Sequence, residues 1–230
     1  MFAIIPARKG SIGLPNKNIK KFNGTPLIEH CLKIILSSKI FSKIYISTDS
    51  KKIMNICNSF NESSIRCLKR PKYLSQSTSL AHDVYKFVLN HLIKNKEISL
   101  NDFFFIFQIT SPLITKQDIL NCFHLINKNT YSIISMAEST IPPHWNLELN
   151  KSNKIKAFFD GYSEKKNRQS YKRFYYPNGA IKVLKVKHFI NDNTYYSLNK
   201  TNAYIMPKER SVDIDDIHDF RIAEILNTKL

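Results

Sequence analysis

Glycine is scarce in this chain, five residues in 230, and no polar low-complexity tract accompanies it, which excludes long disordered linkers. Cysteine is scarcer still: Cys31, Cys57, Cys67 and Cys122 form no CxxC pair and have no His/Cys cluster beside them. Zinc and iron-sulfur sites are thereby excluded, and the four read as reduced thiols. No apolar stretch reaches the ~18 residues needed to span a bilayer, and no basic segment precedes a long apolar one at the start. The expectation is a cytoplasmic protein with no membrane partner. Acidic residues are few, 18 against 35 Lys and Arg, for a net charge of +17. The cations are scattered in runs no longer than KR or KK, so they read as compositional bias as much as a nucleic-acid patch, while favouring small polyanionic substrates. The GxxxxGK[ST] and GxGxxG phosphate loops are both absent.

What is present begins with IIPARKGSIGLPNKN, Ile4 to Asn18. Phe2 to Pro6 is a short apolar run that reads as a buried parallel strand, and the loop leaves its carboxyl end, where open α/β sheets bind ligands. Gly10 and Gly13 let backbone N–H groups approach a bound group, and Arg8 and Lys17 flank them with positive charge. The loop suits a phosphate. A basic surface loop is the alternative in a chain this rich in lysine.

Thr25-Pro26 opens an apolar-periodic segment, Leu27 to Leu36, expected to be a helix capped by Thr25. Lys43 to Asp49 is a second strand, Lys51 to Asn58 a second helix, and Ile65 to Leu68 a third strand. This β-α-β-α start calls for a parallel sheet with right-handed crossovers. Arg70 follows the third strand, where a phosphate or base contact competes with the more usual solvated arginine. A helix is expected from about Ser79 to Ile93. DFFFIFQI, Asp102 to Ile109, is apolar enough for the centre of the sheet. Gln108 breaks that run with an amide able to read a nucleobase edge, although satisfaction by neighbouring backbone explains it equally well. A helix over Asp118 to Asn127 and a strand over Tyr131 to Ala137 follow. From Ile141 to Tyr176 the character changes to a hairpin pattern with a polar turn at Asn150 to Asn153, then a basic, tyrosine-rich stretch. Such an extension has few apolar anchors of its own and is expected to pack on a second copy of the chain. The sheet resumes at Ala180 to Val186, with a last strand at Ala203 to Met206 and a final helix at Ile217 to Leu226. The division is therefore 1–140 for a nucleotide-binding α/β part, 141–176 for a dimerisation arm, and 177–230 for the rest of the α/β domain.

Asp213 and Asp215 lie two apart in an extended stretch, so they project to one side and can converge on a hard cation, whereas Asp216 is placed to cap the final helix. On spacing alone, capping accounts for the cluster more economically.

Six motifs in order, IIPARKGSIGLPNKN, KIYISTD, LKRPKYL, FQITSPL, YPNGAIKV and SVDIDDIHDFRIAE, resemble the bacterial acylneuraminate cytidylyltransferases over nearly the whole chain. The resemblance implies a nucleotidyltransferase, Rossmann-like fold, mostly parallel and flanked by helices, with a small dimerisation arm and a homodimer. It implies transfer of CMP from CTP to a nonulosonic acid with release of pyrophosphate, and Mg²⁺ as cofactor. By the same resemblance Arg8 and Lys17 meet the triphosphate. Asn18, Arg70 and Gln108 contact the nucleotide, and Asp213 and Asp215 hold the metal, one of them accepting the sugar's proton. Arg168 grips the sugar carboxylate. Tyr195 and Tyr196 fall near the pair lining the N-acyl pocket, with a spacing to Tyr204 that differs by one residue. The chain departs from the pattern at Ile12 and Ile114, where the motifs carry cations, at Ser77, where an aspartate is common, and at Tyr176, where some members carry arginine. Legionaminate, pseudaminate and 3-deoxy-manno-octulosonate are rival acceptors. A non-catalytic protein binding RNA or a nucleotide-sugar is the rival of another class.

Overall fold

The computed structural model describes residues 1–11, 13–159 and 167–229, and of Arg168 the backbone. Ile12, Lys165 and Lys166 lie outside the described residues. In chain order the elements are β1 (Phe2–Pro6), β2 (Lys21–Phe22), β3 (Thr25–Pro26), α1 (Leu27–Ser37), β4 (Lys43–Thr48), α2 (Lys51–Asn58), β5 (Ile65–Lys69) and α3 (Ala81–Lys94). They continue with β6 (Phe103–Phe107), α4 (Lys116–His124), β7 (Ser132–Glu138), β8 (Leu147–Leu149), β9 (Ile155–Ala157), β10 (Tyr175–Lys185), α5 (Val186–Asp192), β11 (Thr201–Ile205) and α6 (Ile217–Asn227).

Seven strands form one sheet in the order β11-β7-β10-β6-β1-β4-β5. β10 runs antiparallel to both of its neighbours, and the remaining pairs are parallel. The apolar runs of β1 and β6 are unbroken because each is covered on both faces. Ala3, Ile5, Phe105 and Phe107 face α1, α2, α4 and α6, and Phe2, Ile4, Phe104 and Ile106 face α3 and α5. Each such side chain, fully buried, contributes about 1.5–3 kcal/mol.

Three local expectations are corrected. Thr25 does not cap α1: Asn23 and Gly24 both adopt left-handed backbone, the pattern of a tight hairpin turn, and Thr25-Pro26 pairs back onto Lys21-Phe22. α4 starts at Lys116, two residues before the expected Asp118, because Thr115 caps it and Asp118 closes a capping box from the third position. α5 was not foreseen, since its seven residues are too few to display a period. The expected cap of the last helix is found: Asp216 accepts from His218 and Asp219.

Between β7 and β10 the chain leaves the sheet. β8 and β9 pair as an isolated two-stranded hairpin, and all six of their residues are exposed. Among the described residues no helix is long and apolar enough to cross a membrane.

Candidate active site

The strand order reverses at β1: the chain builds outward through β4 and β5, then returns to place β6 on the other side. Loops leaving adjacent strands separate at such a point and open a crevice at their carboxyl ends. Here the crevice is a cleft of about 560 Å³ lined by residues that include Arg8, Lys17, Asn18, Arg70, Gln108 and Asp215. It lies on the α3 side, because Pro6 and Gln108 continue the alternation of Phe2-Ile4 and Phe104-Ile106.

The loop after β1 is braced from three directions. Asn18 Nδ2 donates to the Arg8 carbonyl at 3.0 Å, Lys9 N–H donates to Asp49 Oδ1 at 2.7 Å, and Arg8 Nη1 donates to the Gln76 carbonyl at 3.1 Å. Lys17 is buried, donates from Nζ to the Ile214 carbonyl, and has Asp215 Oδ1 3.8 Å away. A Cβ on Gly13 would come within 2.4 Å of the Asp215 carbonyl oxygen, so only glycine lets this loop lie against the 213–215 stretch. From the other side Ile214 N–H donates to the Thr110 carbonyl at 2.8 Å. Loops distant in sequence thus close on one another.

Arg70 is not a solvated arginine. It is 5 % exposed and spends Nη2 on the Ser47 carbonyl at 2.7 Å and Nε on Ser47 Oγ at 3.3 Å, leaving N–H donors for an anion in the cleft that it lines. Burial lowers its pKa, and Asp49 opposes that. Gln108 accepts from Thr110 Oγ1 at 3.3 Å through Oε1.

Asp213 lies beside Gly179, with its carboxyl partly desolvated. That desolvation pushes its carboxyl above the ordinary value; the Thr110 hydroxyl opposes the shift, Asp215 adds to it, and Lys17 and Lys182 also oppose it. Among the described residues no group of three or more His, Cys, Asp and Glu is placed to hold a metal ion. The Asp213/Asp215 pair could hold a hard divalent cation that takes its other ligands from phosphate and water, which is how Mg²⁺ is usually bound.

Several residues that sequence reasoning passed over build this site. Asn178 is buried in the bulge of β10, accepts from Ser135 Oγ at 2.6 Å and donates to Ser211 Oγ at 2.9 Å, tying the bulge to the start of the carboxylate stretch. Gly179, at φ +77°, brings backbone beside Asp213 and Gln108: a Cβ there would lie 3.7 Å from each. Lys182 is buried, and burial pushes its ammonium down to about 8, with Asp213 opposing. The PNG triplet, with a glycine inside a strand pattern, is the signal that could have marked the bulge; nothing marked the lysine.

The structure separates the two tyrosines. Tyr195 packs among His82, Tyr85 and Phe189 on the α3 face, whereas Tyr196 is exposed beside Pro177, Leu198 and β11. Ile114 is buried in the core and Ser77 lines the cleft. Arg168 opens a short 3-10 turn on the arm, and its side chain lies outside the described residues.

Comparison with known proteins follows the same lines. The chain is 32% identical over 221 residues to an N-acylneuraminate cytidylyltransferase of Streptococcus agalactiae, a match covering 94% of this chain and 51% of that protein. It therefore spans about half the length of that relative. It is 28% identical to a CMP-N,N'-diacetyllegionaminic acid synthase of Legionella pneumophila, over 98% of this chain and 95% of that one. In structure it resembles CMP:2-keto-3-deoxy-manno-octonic acid synthetase complexed with CTP, at a TM-score of 0.68, 14% identity and coverage of 99% and 98%, a likeness of fold. Residues 2–221 match the family described as Cytidylyltransferase, and the chain belongs to that family.

Proposed function

We propose that the chain transfers CMP from CTP to a nonulosonic acid, releasing pyrophosphate. The observation that carries this reading is the gathering of Arg8, Lys17, Arg70, Gln108 and Asp215 from four loops into one cleft at the carboxyl edge of the sheet, beside Asp213. An in-line attack of the anomeric hydroxyl on the α-phosphorus needs two anions held together and the charge on the leaving pyrophosphate neutralised. Arg8 and Lys17 supply fixed cations for the triphosphate. Asn18 positions the loop through the Arg8 carbonyl, and Arg70 and Gln108 hold the nucleotide. Asp213 or Asp215 accepts the hydroxyl proton. Mg²⁺ held by this pair would add positive charge to the triphosphate. Arg168 supplies a planar fork for the sugar carboxylate, and Tyr195 an apolar wall for its acyl substituent. Two copies of the chain pair through the arm, and its four free thiols suit a reducing, cytoplasmic setting.

The Legionella relative matches this chain over nearly its whole length, which favours legionaminic acid as an acceptor to be compared with sialic acid. The test is pyrophosphate release by purified protein with CTP, Mg²⁺ and a panel of acid sugars. Turnover is expected with CTP and at least one nonulosonic acid, and it should be abolished by EDTA. Full activity in EDTA, or equal use of ATP, would refute the assignment; binding of nucleotide or RNA with no turnover would favour the non-catalytic reading.

A further inference from the structure

Lys182 is the cation that the loops at the cleft do not account for. It sits on β10 in register with Ile106, on the face covered by α3, one step in from Gln108. Its Nζ donates to the Gly179 carbonyl at 3.4 Å and lies 5.3 Å from the centre of the Tyr195 ring, which in turn stacks on His82 at 3.9 Å. Gly179 brings the same spot against Gln108 and Asp213. Among the described residues no carboxylate comes within ion-pair distance of this ammonium: the four ion pairs belong to Lys17, Lys33, Arg173 and Arg210. A buried charge without a paired anion is costly, and a fold that keeps one has a use for it.

We propose that Lys182 is a specificity-determining residue of the acceptor subsite, and that its ammonium meets the carboxylate of the acid sugar from within the same chain. The proposal rests on the acid-sugar reading above. Position decides which substrate it serves. The phosphate-binding loop leaves β1, and β10 lies two strands away across β6, about 10 Å at ordinary strand spacing. The triphosphate is thus placed over β1, the base toward β5 and Arg70, and the acceptor over β6 and β10, where Asp213 stands beside Lys182. The Tyr195 face offers an apolar wall for a pyranose ring, and the ammonium beside it takes the one full charge that separates an acid sugar from a neutral one. Arg168 lies on the arm and Lys182 on β10, so the two cations belong to different elements.

The experiment is calorimetric binding of N-acetylneuraminic acid, N,N'-diacetyllegionaminic acid and their carboxamide analogues to protein saturated with CDP, which cannot react. Wild type should prefer the acids to the carboxamides. Lys182→Met and Lys182→Gln, of similar length but neutral, should weaken acid binding at least tenfold, leave CDP affinity unchanged and erase the preference. Lys182→Arg should keep part of it. If the folded Met or Gln variant binds the acids as wild type does, or wild type does not distinguish acid from carboxamide, the role of Lys182 is overturned while the acid-sugar reading stands. If wild type binds CDP but none of these sugars, both fall together.

Discussion

Asp213 has neighbours that make its charge state sensitive to the site. Its carboxyl is raised by desolvation and by Asp215, against the pull of Thr110, Lys17 and Lys182. If catalysis needs it ionised, the rate falls as pH falls through this raised value, so the acid limb of the kcat profile should lie above the ordinary ~3.9 of an aspartate. Asp213→Asn should lower kcat about 100-fold or more and remove that limb. Asp215→Asn should also slow turnover, but shift the limb downward, because one of the contributions raising Asp213 is gone. A pH-rate series on the three proteins checks this; wild-type rates in both variants would reduce the pair to structural residues. At this scale the sequence spoke unevenly. A two-residue spacing of aspartates allowed convergence on a cation, although capping explained it more economically; in the structure Asp215 lines the cleft and Asp213 lies beside Gly179. Lys182 was invisible because one lysine among 35 Lys and Arg carries no signal until its neighbours are known to bury it.

Elements were legible where periodicity was long and caps were strong. α2 and the start of α6 lie where the pattern put them, the latter because Asp216 and Asp219 close a capping box. The β2-β3 hairpin and α5 are too short to show a period, and no local rule could reveal that β10 turns antiparallel, which is a matter of how the arm returns the chain to the sheet. One side chain joins three such elements. Asp118, fully buried in α4, accepts from Arg210 Nη2 at 2.6 Å and Nε at 3.2 Å, from the Tyr204 hydroxyl of β11 at 2.8 Å, and from its own capping residue Thr115. Burial alone would raise its carboxyl; the donors of Arg210, Tyr204 and Thr115 outweigh burial and hold it below the usual range. Removing the charge leaves Arg210 without its partner, so Asp118→Asn should cost about 3 kcal/mol or more in urea unfolding at neutral pH. A carboxyl lowered in the folded state stabilises above the unfolded-state value of ~3.9, and that contribution is lost as pH falls through the folded value. The gap between wild type and variant should therefore close in acid. An equal gap at pH 7 and pH 3 would show that packing and not charge is responsible.

At the scale of the whole molecule, one region does not pay its own way as a folded unit. A two-stranded hairpin is marginal in water by itself, and here Leu149 and Ile155 are 67 % and 66 % exposed, with Phe158 and Phe159 beside them also open. Tyr175 and Tyr176, the first residues of β10, are exposed as well. Exposed aromatic and aliphatic side chains grouped in one region are a mark of interaction surfaces. A second copy of this chain is the simplest occupant, since it brings an identical exposed apolar hairpin to meet this one. Light scattering at working concentration should therefore give twice the mass of the 26.8 kDa chain. Leu149→Ser combined with Phe158→Ser should shift it to monomer, while urea unfolding of the sheet domain moves little, because neither side chain belongs to the buried core. If Arg168 completes a site in the other copy, that monomer should retain CDP binding and lose acid-sugar binding. A wild-type monomer would refute the pairing, and a monomeric variant with undiminished sugar affinity would place the complete acceptor subsite, Lys182 included, within one chain.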